Sequence, residues 1–122
     1  MAKQSENELN THNIISAGTK FKGEFVSGGN IRIDGNFIGD IKLEGKLIVG
    51  PSGTVQGNIV CQVAELDGRV EASIEVKEYL ILRSTAIVIG DVVTDKISIE
   101  QGATFLGNCK MPIEKLNETE IV

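Results

Sequence analysis

An all-β chain folded as a single-stranded parallel β-helix, a solenoid of about six rungs of 15–18 residues with a triangular section, is the architecture this sequence predicts. Three observations predict it. A five-residue unit of apolar, any, small, polar and apolar residues recurs at Phe21–Phe25 (FKGEF), Phe37–Ile41 (FIGDI), Val55–Ile59 (VQGNI), Val70–Ile74 (VEASI), Val88–Val92 (VIGDV) and Phe105–Cys109 (FLGNC). Its central residues, Gly23, Gly39, Gly57, Ala72, Gly90 and Gly107, lie 16, 18, 15, 18 and 17 positions apart, and a fixed period of that size marks a repeat architecture. Aligned on that residue, every second column is apolar or small, which is the period of a half-buried strand. No stretch of ten or more residues in 19–111 has helical spacing, so βαβ and leucine-rich-repeat designs are excluded. Each repeat is then one turn of a coil whose rungs stack about 4.8 Å apart.

The elements follow in chain order. Residues 1–18 are polar and are expected to form a flexible tail ahead of a β-helix domain at 19–111. Within the domain, Phe21, Phe37, Val55, Val70, Val88 and Phe105 form one inward column, two residues before the anchor. Phe25, Ile41, Ile59, Ile74, Val92 and Cys109 form a second, and Ser27, Leu43, Cys61, Val76, Thr94 and Met111 a third. Between anchors comes another inward pair, Ile31/Ile33, Leu47/Val49, Ala64/Leu66, Leu80/Leu82 and Ile97/Ile99. The unequal spacings arise at corners: Asp34-Gly35 and Asp67-Gly68 turn in two residues, whereas Gly50–Gly53 takes four, and both are strong turn signals. Corners near Gly28-Gly29, Gly35 and Gly45 give the triangular section. The column after the anchor, Glu24, Asp40, Asn58, Ser73, Asp91 and Asn108, is polar in all six repeats and should face water. Residues 112–122 are expected to be a second flexible tail.

Composition narrows the function. The 122 residues suffice for one domain. A net charge of −5 and a pI of about 4.9 argue against nucleic-acid binding, which needs clustered Lys and Arg. The uncharged run Leu47–Ala64 contains Gly50, Pro51, Gly53 and Gly57, so it does not read as a membrane span, and the polar first residues carry no secretory signal. Two cysteines in such a chain suggest reduced cytoplasmic thiols; Cys61 and Cys109 fall in inward columns three rungs apart, too far for a disulfide, and are expected to be buried. One histidine, His12, and two remote cysteines make no metal site. Glu24 and Asp40 would stack at about 5 Å, a glycosidase-like separation, but with Tyr79 and four Phe as the only aromatics the chain lacks carbohydrate platforms, and the column reads as a solvated face. The glycines are corner residues without the lysine of a phosphate loop. No enzyme activity and no cofactor are expected.

From about Ile14 to Met111 the chain resembles the bactofilins, bacterial cytoskeletal proteins. The resemblance is carried by the G-[DN]-[IV] periodicity, the LIVGPSG corner at 47–53 and the closing EQGATFLGNCKM at 100–111. It implies a right-handed β-helix that assembles end to end into nucleotide-independent, non-polar filaments organising cell-shape or cell-wall machinery. It also implies a cytoplasmic location at the inner face of the membrane, with cell-wall remodelling enzymes or membrane proteins as partners. Some bactofilins carry an N-terminal membrane-targeting stretch; none is identifiable in Met1–Asn13.

A β-helix has two open ends with unpaired backbone groups. Phe21 and Phe25 on the first rung, and Phe105 and Met111 on the last, are therefore the candidate polymerisation interface, with Phe105 as its main residue. The alternative is that the tails cap both ends and leave a non-polymerising adaptor that binds a protein partner on an outer face. The outward apolar residues Ile38, Ile48, Ile81, Ile89 and Leu106 are the candidate lateral or partner surface, and Ile48 and Ile81 share a column two rungs apart.

Overall fold

Parallel ladders join each rung to the next through residues 13–111, the part of the chain that the computed structural model describes. Those residues form nine strands: β1 (Asn13–Ile15), β2 (Lys20–Ser27), β3 (Ile31–Ile33), β4 (Asn36–Leu43), β5 (Lys46–Val49), β6 (Thr54–Leu66), β7 (Arg69–Leu82), β8 (Ile87–Ile99) and β9 (Thr104–Lys110). The pairing register is that of the sequence repeat. Phe21 pairs with Phe37, Phe37 with Val55, Val55 with Val70, Val70 with Val88, and Val88 with Phe105. A second ladder runs Ile14, Arg32, Ile48, Glu65, Ile81, Ser98. The fold is thus an all-β parallel solenoid of about six turns, without helix among the described residues.

The glycine column creates one corner of each rung. Gly23, Gly39, Gly57, Gly90 and Gly107 have φ between 134° and 145°, which bends the long strand into two sides. A Cβ on Gly39, Gly57 or Gly107 would lie within 1.9 Å of the carbonyl oxygen one rung below. Ala72 stands in this column but has no positive φ, because a Cβ excludes it. The chain passes the bend differently there: the β7–β8 pairing skips Ala72 and Ser73, and its register shifts again between Val76 and Tyr79.

Corner length explains the unequal repeats. The four-residue corners are hydrogen-bonded turns, as in Gly53 N to Gly50 O at 2.9 Å and Ala86 N to Arg83 O at 2.9 Å. The two-residue Asp-Gly corners nest against them, and hydroxyls of the next long turn donate back, Ser52 Oγ to Asp34 O and Thr85 Oγ1 to Asp67 O. Inward residues of all three sides fill one core, with Phe37, Leu47, Val55, Leu66, Val70, Leu80 and Val88 fully buried. Ladders and packing agree because the same alternation sets both.

The β-structure begins upstream of residue 19. β1 pairs with β3, Asn13 Nδ2 donates to Asn30 O, and Ile15 extends the inward Ile33 column. Three residues carry this strand, too few for a periodic signal in a polar setting. Residues 1–12, His12 among them, and 112–122 lie outside the described part.

Candidate polymerisation surfaces at the two ends

The end rungs obey the same inward pattern as the middle ones but have a neighbour on one side only. Among the described residues, β1 pairs with β3 alone, β2 with β4 alone and β9 with β8 alone, so each end presents a row of backbone groups without a strand partner. At the first rung, Phe21 stacks on Phe37 with ring centroids 4.8 Å apart and 12° between planes, and Phe25 meets Phe21 edge-on at 6.4 Å. Both rings are half-buried against the core. At the last rung, Phe105, Ala103 and Ile97 pack one-sidedly against it, while Ile99, Met111 and the outward Leu106 are 52%, 50% and 58% exposed. The residues of the Phe105 column on the inner rungs, Phe37, Val55, Val70 and Val88, are each 0% exposed. Phe105 is left open by its position at the end, not by a change of pattern.

The four sequence-predicted end residues therefore fall where expected in the fold, two at each end. Ile99 joins Phe105 and Met111 at the last rung without having been singled out. The signal was present, since Ile99 is the last member of the inward Ile33, Val49, Leu66, Leu82 column.

The thiols differ. Cys61 is buried, and burial pushes its pKa up to about 12. Cys109, expected to be buried, is exposed: it occupies an inward column, but no rung lies above it in the described part. Burial still raises its pKa, so both thiols are protonated at neutral pH.

The outward candidates divide between two sides. Ile48 and Ile81 are separated by Glu65, whose carboxylate meets Lys46 Nζ at 2.6 Å and Arg83 at 3.4 Å. The hydrogen bond from Lys46, with a smaller one from Arg83, holds the Glu65 carboxyl below its usual range. Ile38 and Ile89 share another column with Gln56 and Glu71 between them, and Leu106 follows Ile89. Only Ile89 and Leu106 are adjacent, next to the open end.

The polar column faces water throughout. Asn58 Nδ2 donates to Asp40 Oδ1 at 2.9 Å and Asn108 Nδ2 to Asp91 Oδ1 at 3.3 Å, so these carboxylates link rungs. Among the described residues no three His, Cys, Asp or Glu side chains cluster in a way that could hold a metal, and no helix is long and apolar enough to cross a membrane.

Comparison with known proteins matches residues 13–110 to a family profile described as bactofilin, polymer-forming cytoskeletal. Bactofilin BacO of Myxococcus xanthus is 31% identical over 107 residues, covering 88% of this chain and 85% of that protein. The cryo-EM structure of Thermus thermophilus bactofilin double helical filaments superposes with a TM-score of 0.79 at 28% identity, covering 83% of this chain and all of that one. The solid-state NMR structure of the cytoskeletal bactofilin BacA gives a TM-score of 0.70 at 29% identity, covering 82% and 94%.

Proposed function

This chain belongs to the bactofilin family, and on that premise we propose that it is a cytoskeletal scaffold whose β-helix polymerises end to end into nucleotide-independent filaments without polarity. The observation that carries the proposal is the last rung, where Phe105, Ile99 and Met111 continue inward columns that are buried on the inner rungs. Burying one large apolar side chain gains roughly 1.5–3 kcal/mol. A few at each joint, together with strand pairing across the open edges, offset the loss of translational freedom and support micromolar association. Joints between like ends, first rung to first and last to last, make the filament non-polar, since each is a two-fold contact. The scaffold works in the cytoplasm at the inner face of the membrane, where its sides recruit cell-wall remodelling enzymes or membrane proteins.

Negative-stain electron microscopy of purified protein across a concentration series, without nucleotide or metal, tests this. Filaments are expected for the wild type and short particles for Phe105→Arg, which sets a charge in the joint. Compact wild-type particles at every concentration would favour a capped adaptor, and filaments persisting in Phe105→Arg would remove that residue from the joint.

A further inference from the structure

We propose that the side formed by residues 24–28 and their rung mates binds an arginine side chain of a partner protein, in a hollow above Ser73 walled by Val60 and Val93 and rimmed by Glu75 and Asp91. The inference deepens the scaffold reading, on which it rests, by naming the chemistry of what the sides recruit. The hollow has a local cause in the polar column. Ser73 has the shortest side chain of that column, and its neighbours lean away from it: Asn58 donates to Asp40, one rung further down, and Asp91 accepts from Asn108, one rung further up. The space left over rungs three to five is about 300 Å³.

Acceptors converge on this space, and no cation lines it. Glu75 meets only Lys77, at 3.8 Å, and Asp91 takes part in no ion pair among the described residues. With Asn58 Nδ2 and Asp91 Oδ1 engaged on the far rungs, Asn58 Oδ1, Asp91 Oδ2, Ser73 Oγ and the Glu75 carboxylate are left to receive donors. Four acceptor groups between aliphatic walls suit a guanidinium. It is planar, offers five N–H donors in a fixed fork and is weakly hydrated, so its charge meets the rim while its stem lies on the valines. An ammonium, with three donors and a tighter hydration shell, satisfies fewer of them. Val93 is 40% exposed and gives an apolar shelf to small aliphatic residues flanking the arginine.

Charge is spread unevenly over the solenoid. This side carries six carboxylates, Glu24, Asp40, Glu44, Glu75, Asp91 and Asp95, against three lysines, Lys42, Lys77 and Lys110; the side before it carries Lys20, Lys22 and Arg69 against Glu71 alone. A cationic partner is therefore drawn to this side, whereas phosphate and anionic lipid are repelled. One arginine makes a weak contact. A filament repeats the hollow in every subunit, so a partner with several such segments gains from the effective concentration of each next site.

The test titrates wild-type protein into a rhodamine-labelled peptide amide, Gly-Val-Arg-Val-Gly, and its lysine and citrulline analogues, followed by fluorescence anisotropy at low salt. Filaments should bind the arginine peptide about tenfold or more tighter than the citrulline peptide, the scale of a charge-assisted hydrogen bond, with the lysine peptide between them. Glu75→Gln should weaken binding by a similar factor. Ser73→Arg fills the hollow with the chain's own guanidinium and should abolish binding, whereas Ser98→Arg, the same charge on another side, should leave it within about twofold. Circular dichroism and filament formation report that each variant folds. No binding of the arginine peptide, equal affinity for the citrulline peptide, or equal weakening by Ser73→Arg and Ser98→Arg would overturn the inference and leave the scaffold standing. Binding to dispersed Phe105→Arg subunits but not to filaments would give the hollow to a neighbouring copy and overturn a separate partner. Arginine-selective binding by wild-type protein that forms no filaments would uphold the hollow's ligand and overturn the scaffold.

Discussion

Gly57→Ala perturbs the bend on which every rung depends. Gly57 has φ +134°, and holding a residue with a side chain in such a region costs about 1–3 kcal/mol. The added Cβ would also stand 1.9 Å from Gly39 O and 2.8 Å from Gly39 C. Both are backbone atoms, so no rotamer change relieves the clash, and β4 and β6 must separate, losing ladder hydrogen bonds at about 1 kcal/mol each. The sum is about 3 kcal/mol or more, a large share of the roughly 5–15 kcal/mol that stabilises a domain. Gly28→Ala is the matched control. Its Cβ would meet nothing nearer than Glu44 Oε1 at 3.8 Å, and its φ lies outside the left-handed region, so the change is neutral or stabilises by up to about 1 kcal/mol. Urea unfolding followed by far-UV circular dichroism, at a concentration below assembly, reads both. A Gly57→Ala midpoint equal to wild type, or Gly28→Ala falling as far as Gly57→Ala, would refute the role of the glycine column.

Phe37→Ala leaves a cavity at a fully buried stacked ring and costs about 3–5 kcal/mol by the same urea assay. Phe105→Ala, half-buried on one side, destabilises the subunit by less than about 1.5 kcal/mol, yet removes roughly 2 kcal/mol in total from each joint between last rungs, where two copies of the residue meet, leaves the first-rung joints intact, and raises the critical concentration for pelleting about 30-fold. Ellman's reagent should titrate Cys109 alone in the native protein and Cys61 as well after denaturation, since one thiol is exposed and the other buried. The folded pKa of Cys61, about 12, exceeds the unfolded value near 8.5; the unfolded chain therefore loses its proton first. Stability from this group is complete below about pH 8.5 and falls as pH rises toward 12, so the melting temperature of wild type should drop more between pH 8 and pH 10.5 than that of Cys61→Ala.

Most of the fold was legible because one alternation fixes both pairing and burial. The columns aligned on the small residue are the ladders of the structure, down to the two-residue corners at Asp34-Gly35 and Asp67-Gly68. The failures at the open end share a cause, which is position along the stack. Cys109 reads like Val92 and Ile59 in sequence, but only a rung above it would bury it. Ile99 reads like Leu82, yet is half-exposed for the same reason. β1 was lost because Asn13–Ile15 is a single short strand whose partner column starts 18 residues later. Ala72 fits the anchor column by size, whereas the bend selects for φ, which a column of small residues does not reveal.

The placement of large side chains separates a stack that ends from one that continues. In the column two residues before the bend, rungs three to five carry Val55, Val70 and Val88, while rungs one, two and six carry Phe21, Phe37 and Phe105. Valine suffices where a rung lies on each side, as the complete burial of all three demonstrates. A chain that had only to close its ends would place charge or proline on the terminal edges, because an open apolar edge invites pairing. The terminal strands do carry charge, Lys20, Lys22 and Glu24 on β2 and Lys110 on β9, but at outward positions; inward, β9 carries Phe105, with Ile99 beside it on the last turn of β8, and β2 carries Phe21 and Phe25. A rung from another copy, set at the ordinary stacking distance of about 4.8 Å, would bury Phe105 as Val88 is buried by Phe105. In the proposed non-polar filament that rung would run antiparallel, since a two-fold joint between like ends reverses the chain direction, so the joint would keep the inward pattern while exchanging the parallel register of the six rungs for an antiparallel one.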